Sequence, residues 1–429
     1  MAPRFELGIE ALQATALPLG YATEFHNIIK ENAKKQFLFP LFSESMNGAA
    51  IDSRLVQPGD TFFAIKGKKA DGHNFLEAAA KQGALFAVVS TDYEGPSFGL
   101  LLDYVPDVQW ELQERARLFL EKNPKRVIAI SGTVGKTTTK GFAKTLLEQK
   151  YRTWASPKSY NSQLTVPLSI LMCDPDAEIL ILEMGMSEPG NLKRLIEIAP
   201  PEVALLTMIS LQHVDLFSDG LEGIKREKLT LFSHPKTRLC IHHESIDWKG
   251  QSFKVEDRYG LGWSKAALHN LCAAVAIAEA FGVEDIESSL PKLKLPPMRM
   301  EEVKRGELLF INDAYNANPD SMVAALESLG KKGGRKIAVL SEMDALGSFA
   351  SVEHERVAKE ALKYADLLLC LGERCDTMRI TWEKEGKPVF LCQSKQQLRE
   401  KLKGLIRAGD VVLLKGARSH AMEEILDDY

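Results

Sequence analysis

The sequence predicts an α/β protein of three consecutive segments, with helices on the faces of mainly parallel sheets. Three observations lead to that class. Short apolar runs alternate with helical stretches from about residue 127 onward, a glycine-containing loop ties the first run to a helix, and two proline-bearing breaks divide the chain.

The first break is Asn123-Pro124-Lys125, after a helical stretch over about Val108–Lys122. The second is Leu293-Lys294-Leu295-Pro296-Pro297, where paired prolines stop a helix and stiffen a linker. Segments of about 1–122, 123–297 and 298–429 result. The first is expected to be α+β. The second opens with a buried strand at Val127–Ile130, continues in a helix from Lys136 to about Gln149, and adds strands at Ile179–Glu183 and Val203–Met208. The third carries strand-like runs at Leu308–Ile311, Ile337–Leu340, Leu367–Leu371, Val389–Leu391 and Val411–Leu414, and is expected to be a Rossmann-like doubly wound domain. No internal repeat or low-complexity tract is present.

Of 429 residues, 45% are hydrophobic and 26% charged, which excludes global disorder. A net charge of −4 offers no basic footprint for nucleic acid or an anionic membrane. The start, Met1-Ala2-Pro3-Arg4-Phe5-Glu6, lacks the basic-then-apolar pattern of a signal peptide. No apolar run approaches the ~18 residues of a membrane span, so no membrane insertion is expected. The cysteines are Cys173, Cys240, Cys272, Cys370, Cys375 and Cys392, and most sit in apolar runs as small core residues. Cys370 and Cys375 are close, but no second Cys or His pair follows to complete a zinc site. A reducing cytoplasm is the expected compartment.

The strongest local signal is Ser131-Gly132-Thr133-Val134-Gly135-Lys136-Thr137-Thr138, between the first buried strand and its helix. Glycines let backbone N–H groups turn inward around phosphate, and the helix start adds its positive dipole end. Gly132, Thr133, Val134, Gly135, Lys136, Thr137 and Thr138 are therefore candidate nucleotide contacts. Lys136 would reach the outer phosphates and Thr137 would hold magnesium through its hydroxyl. Ile130 stands where the longer form of this motif has glycine, so this is the shorter GxxGKT variant. Glu183 ends one neighbouring strand and His213 follows another, both on the edge where parallel sheets bind ligands. Carboxylate oxygen suits magnesium. His213 reads equally as a ligand or as a satisfied loop histidine.

Taken together, these residues resemble the Mur ligases of bacterial cell-wall synthesis. The third segment points to one type within them, the MurF type. Asp313-Ala314-Tyr315-Asn316-Ala317-Asn318-Pro319-Asp320-Ser321 resembles that type's DxYNANPxS signature. Ile51-Asp52-Ser53-Arg54, Pro58-Gly59-Asp60 and Asp71-Gly72-His73 are similar to the family's uridine-nucleotide-binding domain. Tyr160-Asn161 with Val166-Pro167-Leu168 resembles its substrate-facing loop. Val339-Leu340 with Met343 and Leu346-Gly347, and then Lys415-Gly416-Ala417-Arg418-Ser419, resemble further elements of the same type.

The resemblance implies a cytoplasmic, monomeric ligase that uses ATP and Mg2+. It would join D-alanyl-D-alanine to UDP-N-acetylmuramoyl-tripeptide through an acyl phosphate. It also implies roles. Thr137 and Glu183 would bind one magnesium, and His213 and Lys228 a second, with Lys228 carbamylated by carbon dioxide; read alone, Lys228 is an ordinary lysine on a charged helix face. Asn270, Arg299 and Asp313 would contact the nucleotide. Ser53, Arg54 and Asn161 would contact the UDP-substrate, and Tyr315 and Asn316 would lie at the active-site edge. Lys415 and Arg418 would face the dipeptide, although a solvated loop accounts for them almost as well. The sequence departs from the pattern at Ser341-Glu342 (usually Gly-Asp), Ala417 (Ser), Met298 (Gly) and Thr230 (commonly Glu), and the stretch from Phe232 to Asn270 is short.

Overall fold

The computed structural model describes residues 48–67, 70–212, 214–217 and 219–429. The first sheet contains β1 (Ala49–Ala50), β2 (Thr61–Phe63), β3 (Phe86–Ser90) and β4 (Leu101–Val105), in that spatial order, with helices α1 (Leu76–Lys81) and α2 (Val108–Lys122). Every pairing in it is parallel, a more regular arrangement than the α+β expectation specified. Phe62, Leu76, Ala79, Ala87 and Val89 form its core. Helix α2 begins where the Asp107 carboxylate accepts the Trp110 N–H at 3.0 Å.

The second sheet has the order β10-β9-β8-β5-β7-β6, all parallel. Its strands are β5 (Arg126–Ser131), β6 (Thr153–Ala155), β7 (Ile179–Glu183), β8 (Val203–Leu206), β9 (Leu239–His243) and β10 (Gln251–Phe253). The helices along this stretch are α3 (Lys136–Leu147), α4 (Thr165–Leu171), α5 (Asn191–Ile198), α6 (Leu221–Leu229) and α7 (Lys265–Ala280). β5 is flanked by β7 and β8, with Ile130 opposite Glu183 and Leu205, so the carboxyl ends of the three strands lie side by side. Helix α7 is buried along most of its length because its run of alanines lets it approach Phe142 and Leu146 of α3 closely.

The third sheet has the order β11-β12-β16-β13-β14-β15. Its strands are β11 (Glu301–Arg305), β12 (Leu308–Asn312), β13 (Lys336–Ser341), β14 (Leu367–Leu371), β15 (Val389–Cys392) and β16 (Val411–Lys415). Its helices are α8 (Pro319–Gly330), α9 (Ala350–Tyr364), α10 (Asp376–Lys384) and α11 (Lys395–Leu405). Only the edge strand β11 is antiparallel. Ala338, Leu340, Leu368 and Leu413 point to one core and Val339, Leu369, Val412 and Leu414 to the other, the two-faced burial of a doubly wound sheet.

The chain packs as two compact units. Among the described residues, one includes those from 48 to 125 together with Tyr160–Pro175, hence α4, and Glu197–Ala199; the other holds Arg126–Ser159, Asp176–Ile196 and Pro200–Tyr429, with the second and third sheets. The six cysteines are free, and five of them are buried. Among the described residues no group of three or more His, Cys, Asp or Glu side chains gathers as a metal site. No described helix is long and apolar enough to cross a membrane.

Candidate functional site

The loop between β5 and α3 has a backbone that only glycine adopts readily at two points, Gly132 (φ 134°) and Gly135 (φ 92°). Both also lack room for a side chain. A Cβ at Gly132 would stand 1.9 Å from the Thr207 hydroxyl oxygen, and one at Gly135 would stand 2.2 Å from the Asn270 carboxamide oxygen. The chain leaving β8 braces the loop from the other side. Thr207 donates to the Val134 carbonyl at 2.8 Å, and the Thr133 N–H donates to the Met208 carbonyl at 2.8 Å. The Thr133 hydroxyl donates to the Ser210 carbonyl at 3.0 Å. The loop is thus held open by tertiary contacts as well as by glycine.

Two lysines converge inside it. Lys136 Nζ donates to the carbonyls of Gly132 (2.9 Å) and Thr133 (3.2 Å), and Lys228 Nζ, from α6, donates to Gly132 at 3.0 Å. Enclosure lowers the pKa of both. For Lys136 the Glu183 charge works against that shift and Arg299 with it. Lys228 is held well below the usual lysine range by burial first and by the Lys136 charge second. The surface-lysine reading of Lys228 is thereby corrected: the side chain turns inward from a charged helix and is nearly fully buried.

At the carboxyl end of β7 the Thr137 hydroxyl donates to Glu183 Oε2 at 2.7 Å, and Glu183 is buried. Thr137 Oγ1 also lies 2.9 Å from Ser159 Oγ, which accepts from Arg299 Nη2 at 3.3 Å. Lys140, one turn beyond Lys136, brings Nζ to 3.5 Å from Glu183 Oε2 and donates to Ser156 Oγ at 3.2 Å. Thr138 is buried in α3, and Asn270 accepts from Thr139 at 3.4 Å beside Gly135. His213 lies outside the described residues.

The residues of the third segment form a second group. Arg299 stacks over the Tyr315 ring at 4.0 Å. Asp313 pairs instead with Lys415 at 2.5 Å and accepts the Met300 N–H at 3.0 Å. Lys415 also donates to the Asn316 carbonyl at 3.0 Å and is nearly fully buried, so the solvated-loop reading does not hold for it. Arg418 is more open, paired to Glu423. Met298 and Met300 flank Arg299 with φ of 58° and 54°, the left-handed conformation for which glycine is the usual residue at Met298 in the pattern. In the Asn318-Pro319-Asp320-Ser321 stretch, Asn318 caps α8. Its carboxamide accepts the Ser321 N–H at 2.9 Å, Ser321 Oγ accepts the Asn318 N–H at 3.1 Å, and Pro319 starts the helix.

In the first unit, Ser53 is buried and Arg54 is exposed, in a short turn where Asp52 accepts from the Arg54 backbone and guanidinium. His73 is fixed between Asp71 (2.6 Å) and the Ser90 N–H (3.0 Å). Asn161 is half-buried in the Tyr160–Pro175 segment. Sequence reasoning missed Lys140, Ser156, Ser159, Thr207 and Ser210. Of these only Lys140 carried a signal, being at helical spacing from Lys136.

Three models of one family match the chain in order: the Mur ligase family catalytic domain over residues 45–95, the Mur ligase middle domain over 130–256, and the Mur ligase glutamate ligase domain over 298–418. Together they span well over half the chain. The UDP-N-acetylmuramoyl-tripeptide–D-alanyl-D-alanine ligase of Treponema pallidum is 29% identical over 89% of this chain and 94% of its own length. That of Bacillus subtilis is 29% identical over 93% and 97%. The fold is similar to the MurF ligase of Thermotoga maritima solved in complex with ADP, at a TM-score of 0.76 and 24% identity over 90% of this chain and 97% of that one. With family matches in all three of its segments, the chain belongs to the Mur ligase family.

Proposed function

We propose that this protein is the MurF-type member of its family, joining D-alanyl-D-alanine to UDP-N-acetylmuramoyl-tripeptide with conversion of ATP to ADP and phosphate. The observation that carries the reading is the Thr137–Glu183 pair at 2.7 Å, beside a glycine-turned loop that also encloses Lys136 and Lys228. The type within the family is supported by the Asp313–Ser321 stretch and by relatives of that name aligned over nearly their whole length.

A carboxylate is a poor acyl donor because oxide is a poor leaving group. Transfer of the outer phosphoryl group of ATP to the tripeptide carboxylate makes phosphate the leaving group. The dipeptide amine then attacks the acyl carbon, and the tetrahedral adduct expels phosphate as the amide forms. Gly132, Val134, Gly135 and Thr138 would cradle phosphate oxygens through backbone N–H groups and the start of α3, and Thr133, whose N–H is held by the Met208 carbonyl, would contact the nucleotide by shaping the loop around it. Lys136 would leave the Gly132 and Thr133 carbonyls to neutralise charge on the transferring group. Asn270, beside Gly135, would contact the nucleotide, and Arg299 and Asp313 would meet it from the third segment. Ser53, Arg54 and Asn161 would serve the UDP-substrate, with Tyr315 and Asn316 at the edge where the amine enters. Water must be kept from the acyl phosphate, a task suited to the third segment.

The donor set fits magnesium. Thr137 and Glu183 supply oxygen atoms within hydrogen-bond reach of each other, and Lys228 becomes an oxygen donor once its amine is carbamylated, with His213 as a further candidate ligand. Bound there, magnesium would supply Lewis-acid neutralisation of phosphate charge. The domain limits at 122/123 and 297/298, a cytoplasmic site of action and a monomeric state belong to the same proposal. The test is phosphate release with the tripeptide nucleotide, D-Ala-D-Ala, ATP and Mg2+, each omitted in turn. Release that needs all four is expected; release that ignores the dipeptide overturns the reading.

A further inference from the structure

We propose that Lys140 is a positioning residue that acts through Glu183: its ammonium is the resident counter-charge of that carboxylate, keeping it and the Ser156–Ser159 turn in place until a divalent cation takes over. This inference rests on the magnesium role proposed for Thr137 and Glu183.

Lys140 lies three residues beyond Thr137 and four beyond Lys136 on α3, which puts all three on one helix face. Its side chain is 5% exposed and that of Glu183 2%, with Nζ 3.5 Å from Oε2. The remaining ammonium protons go to Ser156 Oγ at 3.2 Å and the Lys158 carbonyl at 2.5 Å, so all three donors are used. Ser156 Oγ in turn accepts the Glu183 N–H at 3.4 Å.

The nearby cations are engaged elsewhere. Lys136 donates to Gly132 and Thr133, Lys228 to Gly132, and Arg299 to Ser159 while covering the Tyr315 ring. Of these four cations only Lys140 stands at ion-pair distance from the carboxylate. A buried carboxylate stripped of its counter-charge is strongly unfavourable.

Lys140 also shapes the turn. Lys158, whose carbonyl it binds, has φ 48°, a strained conformation for a residue with a Cβ. The next residue, Ser159, touches both Thr137 and Arg299. A continuous polar chain therefore runs Arg299–Ser159–Thr137–Glu183–Lys140, and Lys140 grips it at the carboxylate and at the turn.

A divalent cation arriving at Glu183 makes the ammonium redundant as counter-charge. The two cations thus compete electrostatically, and by linkage a variant without the ammonium must gain more from the metal than the parent does.

The experiment compares the parent, Lys140→Met, Lys140→Arg and the double variant Lys140→Met/Glu183→Gln. Each is melted with EDTA and with excess Mg2+, and nucleotide-free Mn2+ binding is measured by electron paramagnetic resonance. Lys140→Met is expected to melt lower without metal, to recover most of the deficit with Mg2+, and to bind Mn2+ roughly tenfold more tightly, the equivalent of one modest charge–charge repulsion removed. Lys140→Arg should follow the parent. The double variant should melt above Lys140→Met without metal, because the buried charge that lost the Lys140 ammonium is gone, and this arm stands even if the single variant is largely unfolded. Equal melting losses with and without Mg2+, or Mn2+ affinity unchanged or weakened in Lys140→Met, overturn the proposal. A parent that fails to bind Mn2+ at all overturns the magnesium reading instead, and the inference with it.

Discussion

Lys136 and Lys228 share one acceptor, the Gly132 carbonyl, at 2.9 and 3.0 Å. Two ammonium groups that close in an enclosed site repel each other, and the more deeply buried one yields: Lys228 is the group whose pKa falls well below the lysine range. The consequence is chemical. A neutral amine has the lone pair that attacks the carbon of carbon dioxide, losing a proton as the carbamate forms. A protonated amine cannot.

For Lys136, removal of the ammonium should stop phosphate transfer and spare the fold. Its present partners are two carbonyls of its own loop, which can turn to water or ions once the lysine is gone. Lys136→Ala is expected to lose phosphate release by two or more orders of magnitude, ~10²–10³-fold being typical for one lost transition-state contact. The circular dichroism spectrum should match the parent. Activity above about a tenth of the parent's with an unchanged spectrum would refute the assignment.

The strand–loop–helix unit that holds these residues was readable because local chemistry dictates it. Apolar runs such as Ile179–Glu183 and Leu367–Leu371 are buried on both faces and coincide with strands β7 and β14. Strand β11 escaped because Glu301-Glu302-Val303-Lys304-Arg305 is a charged sheet edge with no apolar signature. The braces on the phosphate loop, Thr207 and Ser210, escaped for a different reason. They act through tertiary contacts about 75 residues away, which no spacing rule reaches. The Asp313–Ser321 stretch reads as one functional signature, yet Asn318, Pro319 and Ser321 also build a helix cap, so part of that motif is structural.

Lys228→Ala should be inactive and recover in part with formate or acetate. The site as proposed needs oxygen donors where the carbamate would sit, and a small carboxylate supplies them in the space the side chain vacates. Phosphate release would be followed against carboxylate concentration, with chloride at equal ionic strength as control. Undiminished activity in the alanine variant would mean that the buried amine serves the fold alone.

His269 gives the second unit an acid sensitivity. Burial, reinforced by the charge of neighbouring His243, lowers its pKa from 6.5 to about 4, and its Nε2 is buried with no hydrogen-bond partner among the described residues. The folded pKa is depressed, so between pH 6.5 and about 4 the unfolded chain binds the extra proton. The stability tied to the neutral ring is complete above 6.5 and falls away as the pH drops through that window, by about 3 kcal/mol at most. Urea midpoints of the parent should therefore fall between roughly pH 7 and pH 5, and those of His269→Gln should fall less. Parallel curves for the two proteins would place the acid sensitivity elsewhere.

The choice of amine should be set by the third segment, where Tyr315 stacks on Arg299 and Lys415 is locked between Asp313 and the Asn316 carbonyl. A pocket that must pair with a dipeptide's amide and terminal carboxylate rejects amines that leave its polar groups unpaired. Such mismatches discriminate far more strongly than a missing methylene, by up to ~10⁴-fold. D-Ala-D-Ala, L-Ala-L-Ala, meso-diaminopimelate and L-lysine would be offered separately with ATP, Mg2+ and the matching UDP-muramoyl peptide, and the amide product detected by mass. Coupling of D-Ala-D-Ala to the tripeptide should exceed every other pairing by orders of magnitude. Efficient coupling of diaminopimelate or lysine to the UDP-muramoyl dipeptide, with none of D-Ala-D-Ala, would move the protein to the diamino-acid-adding branch of its family. The phosphate-loop chemistry would stand in either case, because it is built on the second sheet and not on the third.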